Sequence, residues 1–183
     1  MTRILGISGS LRRLSFNTGL LRAAAELAPD GVSIDVMTLD GVPLYNGDVE
    51  AEHGPPASVV ALKDAIAACD GLLLATPEYN NGIPGVFKNA IDWASRPPSD
   101  VPRVFGGRPV ALVSASPGGF GAILSQTAWL PVLRALNMRP WFGSALAVSR
   151  AGALYSENGV LTDEPTRKRL ADFVAGFSSF IGK

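Results

Sequence analysis

Cysteine and histidine are almost absent, with one of each, Cys69 and His53, in 183 residues. A lone cysteine excludes an internal disulfide framework and suits a reducing compartment. A lone histidine cannot build a His-rich metal site. Neither sign of charge is in excess, because 16 Lys and Arg balance 16 Asp and Glu, so nothing in the composition favours nucleic acid. No apolar run approaches the roughly 18 residues that signal a membrane-spanning helix. The chain enters an apolar run, Ile4 to Ile7, almost at once, so neither a membrane span nor a signal peptide is expected. These gaps lead to the expectation of a cytoplasmic protein, and the length to a single domain over residues 1–183.

Glycine, by contrast, is plentiful, and it gathers where apolar runs end. The first such place organises the chain. Ile4 to Ile7 has the character of a buried strand, and Leu20, Leu21, Ala24 and Leu27 recur at helical spacing. Between them, Gly6 to Asn17 turns from strand to helix. The N–H groups of a helix's first turn have no intrahelical partner, and the dipole there favours an anion. Around this start stand the hydroxyls of Ser8, Ser10, Ser15 and Thr18, the amide of Asn17, and the cations Arg12 and Arg13. A simple cap uses one such residue; this set suits one phosphate monoester, which an arginine grips bidentately. The loop matches neither G-x-G-x-x-G nor G-x-x-x-x-G-K-[ST], so a dinucleotide fingerprint and a P-loop are both unsupported.

Val32 to Met37 alternates as an outer strand does. Residues 39–56 read as a long connection rich in Gly and Pro, of the kind that is functional or covered by a partner, with Tyr45 and His53 taken as surface groups. Ser58 is placed to cap a helix whose stripe Val59, Leu62, Ile66 and Cys69 makes that thiol a small core hydrophobe. Gly71 to Thr76 reads as a central parallel strand. It breaks into Pro77–Pro84, a loop offering a rigid turn, the Tyr79 ring and donors at Asn80 and Asn81, before a helix carrying Val86, Phe87, Ala90 and Ile91. Val110 to Ser114 is a further buried strand opening into a third loop with Gly118, Gly119 and Gly121, where a backbone approaches a ligand closely. Pro131 predicts a kink or restart in the helix from Ile123 to Leu136. A fifth strand is expected near 138–148, with Pro140 at its start or on an edge. Thr162 is expected to cap a last helix whose face is Leu170, Phe173, Val174, Phe177 and Ile181.

Strands alternating with helices predict an α/β fold, a flavodoxin-like three-layer sandwich on a five-stranded parallel sheet of order 2-1-3-4-5. That order sets the first and third strands side by side and brings the cradle and the Pro77 loop to one crevice. A ligand with a phosphate at one end and a flat polar ring at the other fits it, a description that matches FMN.

The segments G-S-L-R-R-L-S-F-N at 9–17, P-E-Y-N at 77–80 and P-G-V-F-K-N-A-I-D-W at 84–93 resemble the NAD(P)H-dependent FMN reductase family, which includes chromate and quinone reductases and is similar to the azoreductases. The resemblance runs along nearly the whole chain. It implies that Ser10, Arg12, Ser15, Phe16 and Asn17 hold the FMN phosphate, with Thr18 beside them. It places Pro77, Glu78, Tyr79 and Asn80 at the isoalloxazine edge and Ser116, Gly118 and Gly119 along the other side. It further implies hydride transfer from NADPH or NADH through flavin N5 to a small acceptor: a quinone, a flavin, an azo compound or chromate. The flavin carries that chemistry, so no catalytic acid or base and no metal is nominated. Members form homodimers or homotetramers in which a partner chain completes the flavin site. Many carry an arginine two positions before the glutamine that follows the glycine loop; here Leu124 precedes Gln126. The rival readings are an FMN-binding electron carrier, for which strong acidity is expected, and a flavin-free regulatory protein on the same scaffold.

Overall fold

The computed structural model describes residues 1–182. Strands β1 (Thr2–Ser8), β2 (Val32–Met37), β3 (Gly71–Ala75) and β4 (Pro109–Ala115) pair in parallel in the order β2-β1-β3-β4. On the far edge of β4 lie two short strands, β5 (Arg139–Pro140) and β6 (Leu146–Val148), each parallel to it. The order 2-1-3-4-5 is thus the observed one, with the fifth strand divided. Proline at 140 takes the edge-facing position: the N–H groups of Arg139 and Trp141 on either side donate to the Arg108 and Val110 carbonyls at 2.9 and 2.8 Å, so its missing donor falls on the open edge. After it the Trp141 ring turns onto α7 (Glu164–Ile181), edge-on to Phe173 at 4.9 Å, and lies against Gly143 and Gly176, where a Cβ would be 2.6 and 2.9 Å from the indole. Five residues, 141–145, separate the two halves of the edge strand.

Successive strand residues face opposite sides of a pleated sheet, and apolar residues at both parities bury both faces. Leu73 and Ala75 face one side with Ile4, Ala111 and Val113, and are covered by α1 (Phe16–Glu26) and α7. Leu72 and Leu74 face the other with Leu5, Ile7 and Val110, and are covered by α3 (Ala57–Ala68), α4 (Gly85–Ala94) and α6 (Ile123–Ala135). A parallel sheet covered on both faces leaves only its strand ends open to ligands.

Several local expectations are corrected. The 39–56 connection contains a short helix, α2 (Gly47–His53), whose N-cap Asn46 accepts the Asp48 N–H at 2.9 Å. Ser58 does not cap α3, which begins at Ala57 after Pro56; its hydroxyl donates instead to the Gly41 carbonyl at 2.9 Å. The cap of α7 is Asp163, one residue past Thr162, with its carboxylate on the Thr166 N–H at 2.9 Å. The ionised oxygen is the stronger acceptor for a first-turn N–H. Helix α6 runs unbroken through Pro131, anchored on either side by buried Trp129 and Leu133. A four-residue helix, α5 (Val101–Val104), leads into β4.

Candidate functional site

The carboxyl ends of β1, β3 and β4 open onto one cleft of about 250 Å³. Its first wall is the loop from β1 into α1. Gly9 holds the loop against β3, its N–H donating to the Ala75 carbonyl at 2.9 Å, and a Cβ there would lie 2.2 Å from the Phe87 ring. Ser10 Oγ accepts the Arg12 N–H at 3.2 Å, and the N-cap Ser15 Oγ accepts the Thr18 N–H at 3.3 Å. Each hydroxyl therefore keeps its own proton to donate outward. The N–H groups of Phe16 and Asn17, in the first turn of α1, make no bond to another described residue. Arg12 is exposed, its guanidinium 5.7 Å above the Phe16 ring, with no carboxylate partner among the described residues. Two hydroxyl donors, two N–H groups at a helix start and one unpaired guanidinium are a donor set matched to a phosphate monoester. FMN carries such a group, so the residues present fit it.

Asn17 has a different role from Ser15. Its side chain is buried and committed at both ends, Nδ2–H donating to the Ala115 carbonyl at 2.9 Å and Oδ1 accepting the Ala115 N–H at 3.0 Å. The amide ties α1 to β4, leaving only its backbone N–H for a ligand. Thr18 is buried beneath the loop, its hydroxyl 2.7 Å from that of Ser8, and does not line the cleft.

Pro77, Glu78 and Tyr79 form the second side. Behind them Thr76 Oγ1 donates to the Pro77 carbonyl at 3.0 Å and accepts from Ser125 Oγ at 2.7 Å and Trp129 Nε1–H at 3.1 Å. A buried, satisfied network of this kind fixes the backbone it holds. Tyr79 and Gly82 exchange N–H···O bonds around Asn80 and Asn81, whose φ values are 51° and 61°. Left-handed values at both central positions make a type I′ turn, which asparagine tolerates. Asn80 is therefore exposed at the turn and lies outside the cleft lining. Glu78 caps α6, accepting the Ser125 N–H at 3.0 Å.

Ala115, Ser116 and Pro117 make the third side. The loop is pinned by Ser114 Oγ–H to the Gly121 carbonyl, and by Gln126, whose amide donates to Ser114 Oγ at 2.7 Å and the Leu146 carbonyl at 2.9 Å. Gly121 has φ 61°, and a Cβ would stand 2.7 Å from Ala147. Gly118 and Gly119 are exposed beyond the lining. Nine of the thirteen residues expected at the site thus meet in one cleft; Thr18, Asn80, Gly118 and Gly119 flank it. The sequence reading missed Ala115, which acts through its backbone and leaves no side-chain signal, and Pro117, legible only as the neighbour of Ser116.

Outside the cleft, the segment before α2 is fastened to α4. Tyr45 N–H donates to Asn89 Oδ1 at 2.9 Å and Trp93 Nε1–H to the Pro43 carbonyl at 2.9 Å. Tyr45 Oη–H donates to Glu50 Oε2 at 2.8 Å, and Arg96 Nε–H reaches the same carboxylate at 3.0 Å. The Tyr45 bond, then the Arg96 guanidinium, hold the Glu50 carboxyl below its ordinary range. Burial pushes the Cys69 thiol up, consistent with a core hydrophobe.

The chain matches the family model described as NADPH-dependent FMN reductase over residues 2–153. It is 43% identical over 166 residues to an NAD(P)H-dependent FMN reductase of Pseudomonas aeruginosa, covering 91% of this chain and 88% of that protein. It is 37% identical to a 2-hydroxy-1,4-benzoquinone reductase of a Burkholderia species, covering 98% and 96%. Among solved structures it resembles FerB, a flavoenzyme NAD(P)H:(acceptor) oxidoreductase of Paracoccus denitrificans, with a TM-score of 0.87 and 34% identity over 100% of this chain and 98% of that one.

Proposed function

Because the chain belongs to the NADPH-dependent FMN reductase family, we propose that it is an NAD(P)H-dependent oxidoreductase whose cleft holds FMN. One observation carries this reading: a phosphate-type donor set and a rigid, proline-led loop converge on a single cleft. Ser10, Arg12, Ser15 and the N–H groups of Phe16 and Asn17 take the phosphate. Pro77, Glu78 and Tyr79 bound one edge of the ring and Ser116 the other, with Asn80, Gly118 and Gly119 at the rim of the cleft. When bound, FMN supplies the two-electron chemistry, accepting hydride from NADPH or NADH and yielding it to a small acceptor of the quinone type. The chain's own part is to bind, orient and tune. Glu78, the carboxylate in the lining, is occupied by the Ser125 N–H, so no side chain is assigned a proton.

A cleft of about 250 Å³ is small beside the roughly 300–1,000 Å³ of sites that enclose a ligand of that size. This supports a homodimer or homotetramer in which a second copy covers the remainder. Leu124, Leu130 and Phe142, 45%, 37% and 73% exposed on α6 and the β5–β6 connection, supply an apolar face of the kind that association buries. The reading includes one domain over residues 1–183 and a cytoplasmic location, with no nucleic-acid or membrane partner. It is supported by the balanced charge and by the lack, among the described residues, of a helix long and apolar enough to cross a membrane.

The test is a visible spectrum of the purified protein followed by anaerobic NADPH or NADH. Flavin absorbance should bleach and return on adding a quinone. Bound flavin that resists both nucleotides would favour an electron carrier, and failure to take up FMN would end the proposal.

A further inference from the structure

Both walls of the cleft are held from outside by one segment, and most of that segment lies past residue 153, where the family match ends. From Arg150 the chain makes a 3-10 turn at Ala151–Ala153 and then a tight turn closed by pairing of Tyr155 with Leu161. On one side it grips the glycine-rich wall. Arg150 N–H donates to the Gly118 carbonyl and Ala151 N–H to the Ser116 carbonyl, both at 3.0 Å. On the other it lies across the start of α1. The Tyr155 ring meets the Phe16 ring at 5.0 Å. The Gly159 carbonyl sits so near Gly19 that a Cβ there would be 2.4 Å away, and Gly159 also faces Leu14.

We propose that Tyr155 is a positioning residue for the flavin: its ring, with the turn behind it, sets the separation of the phosphate cradle from the Ser116–Gly118 wall. The inference rests on the cleft being the FMN site. The Asn17–Ala115 pair joins the two walls from inside through two hydrogen bonds. The 150–161 segment adds a second attachment from outside, with Tyr155 and Gly159 against Phe16 and Leu14 on one wall and Arg150 and Ala151 bonded to Gly118 and Ser116 on the other. The ring does the work. Tyr155 is only 9% exposed, yet its hydroxyl has no hydrogen-bond partner, so that oxygen contributes no bond to the arrangement.

The experiment compares FMN affinity, steady-state kinetics with NADPH and thermal stability for the wild type, Tyr155→Ala, Tyr155→Phe and Phe105→Ala. Phe105 is fully buried in the core on the opposite face of the sheet, so its truncation reports general destabilisation. Tyr155→Ala should raise the FMN Kd about tenfold or more and lower kcat at saturating FMN, because a misplaced flavin meets the nicotinamide badly. Tyr155→Phe should restore both, and Phe105→Ala should lower Tm while leaving the Kd unchanged. Gly19→Ala carries the same test if Tyr155→Ala does not fold: it suits the helix but drives the Gly159 carbonyl off α1, and should weaken FMN in the same way. A wild type that takes up no FMN overturns the function itself. A wild type that binds FMN while Tyr155→Ala or Gly19→Ala binds equally well overturns only the positioning role. An equal loss in Tyr155→Phe, or in Phe105→Ala, also overturns it, by assigning the effect to the hydroxyl or to stability.

Discussion

Arg12 and Asn17 sit five positions apart in the same loop and serve opposite ends. The Arg12 guanidinium pairs with no carboxylate among the described residues and lies over Phe16 at the cleft edge, so its charge is available to a phosphate. Arg12→Ala should weaken FMN binding by about 1.5–3 kcal/mol, the scale of a hydrogen bond to a charged group, measurable by flavin fluorescence titration. An unchanged affinity would remove the cradle from the argument. The Asn17 amide is turned inward. Asn17→Ala leaves the buried N–H and C=O of Ala115 without partners and should cost about 1–3 kcal/mol, read as a lower Tm at roughly 2–4 °C per kcal/mol for a chain of this length. Glu78 is likewise structural in part. Removing its carboxylate uncaps α6 and should cost about 0.5–2 kcal/mol, whether or not flavin is present.

At the scale of elements, the 43–50 strap is fastened to α4 by neutral bonds before α2 and, within α2, to Arg96 by one ionised group. Glu50 accepts from both Tyr45 and Arg96, and its pKa is lowered in the fold. A depressed carboxyl pKa contributes stability that is complete above the unfolded value, about 4.3, and is lost as pH falls through the folded one. As pH falls below the ordinary carboxylate range, through the depressed folded pKa of Glu50, the 43–50 strap should therefore loosen before the core unfolds. The observable is Trp93 emission, since the Tyr45 ring lies edge-on to Trp93 at 4.8 Å. Glu50→Gln should show the loosened signal already at neutral pH and a flatter acid profile; an unaltered profile would show that Glu50 does not hold the strap. Helix α6 serves the site from both ends of its first turn. Ser125 donates its N–H to Glu78 and its hydroxyl to Thr76, while Gln126 pins the glycine loop, so this turn registers the second and third sides of the cleft to each other.

For the whole molecule, the expected state is a dimer or tetramer. Sedimentation of the FMN-loaded protein should give a dimer or tetramer mass, and Leu130→Asp should shift it toward monomer if the apolar face on α6 is the contact. A monomer that binds FMN with undiminished affinity would show that the cleft needs no second copy.

Periodicity and punctuation in the sequence determined the layer architecture and the three loops of the site, and the strand order followed from taking that architecture as flavodoxin-like. The layers and loops follow from local chemistry: apolar runs bury on both faces, and Gly, Pro, Ser and Asn mark where strands end. The same local rules misplaced the caps of α3 and α7: α3 starts behind Pro56 with no side-chain cap, and at α7 the carboxylate of Asp163, one residue past Thr162, takes the first-turn N–H. The division of the fifth strand, the inward turn of Asn17, the capping role of Glu78 and the Tyr155 contact were decided only by tertiary structure. Each joins residues far apart in the chain, Asn17 to Ala115 or Phe16 to Tyr155, and a side chain with both donor and acceptor capacity carries no mark of which distant group will satisfy it. The sequence by itself determined which loops gather at the cleft; the fold decided which of their residues line it and which hold its walls.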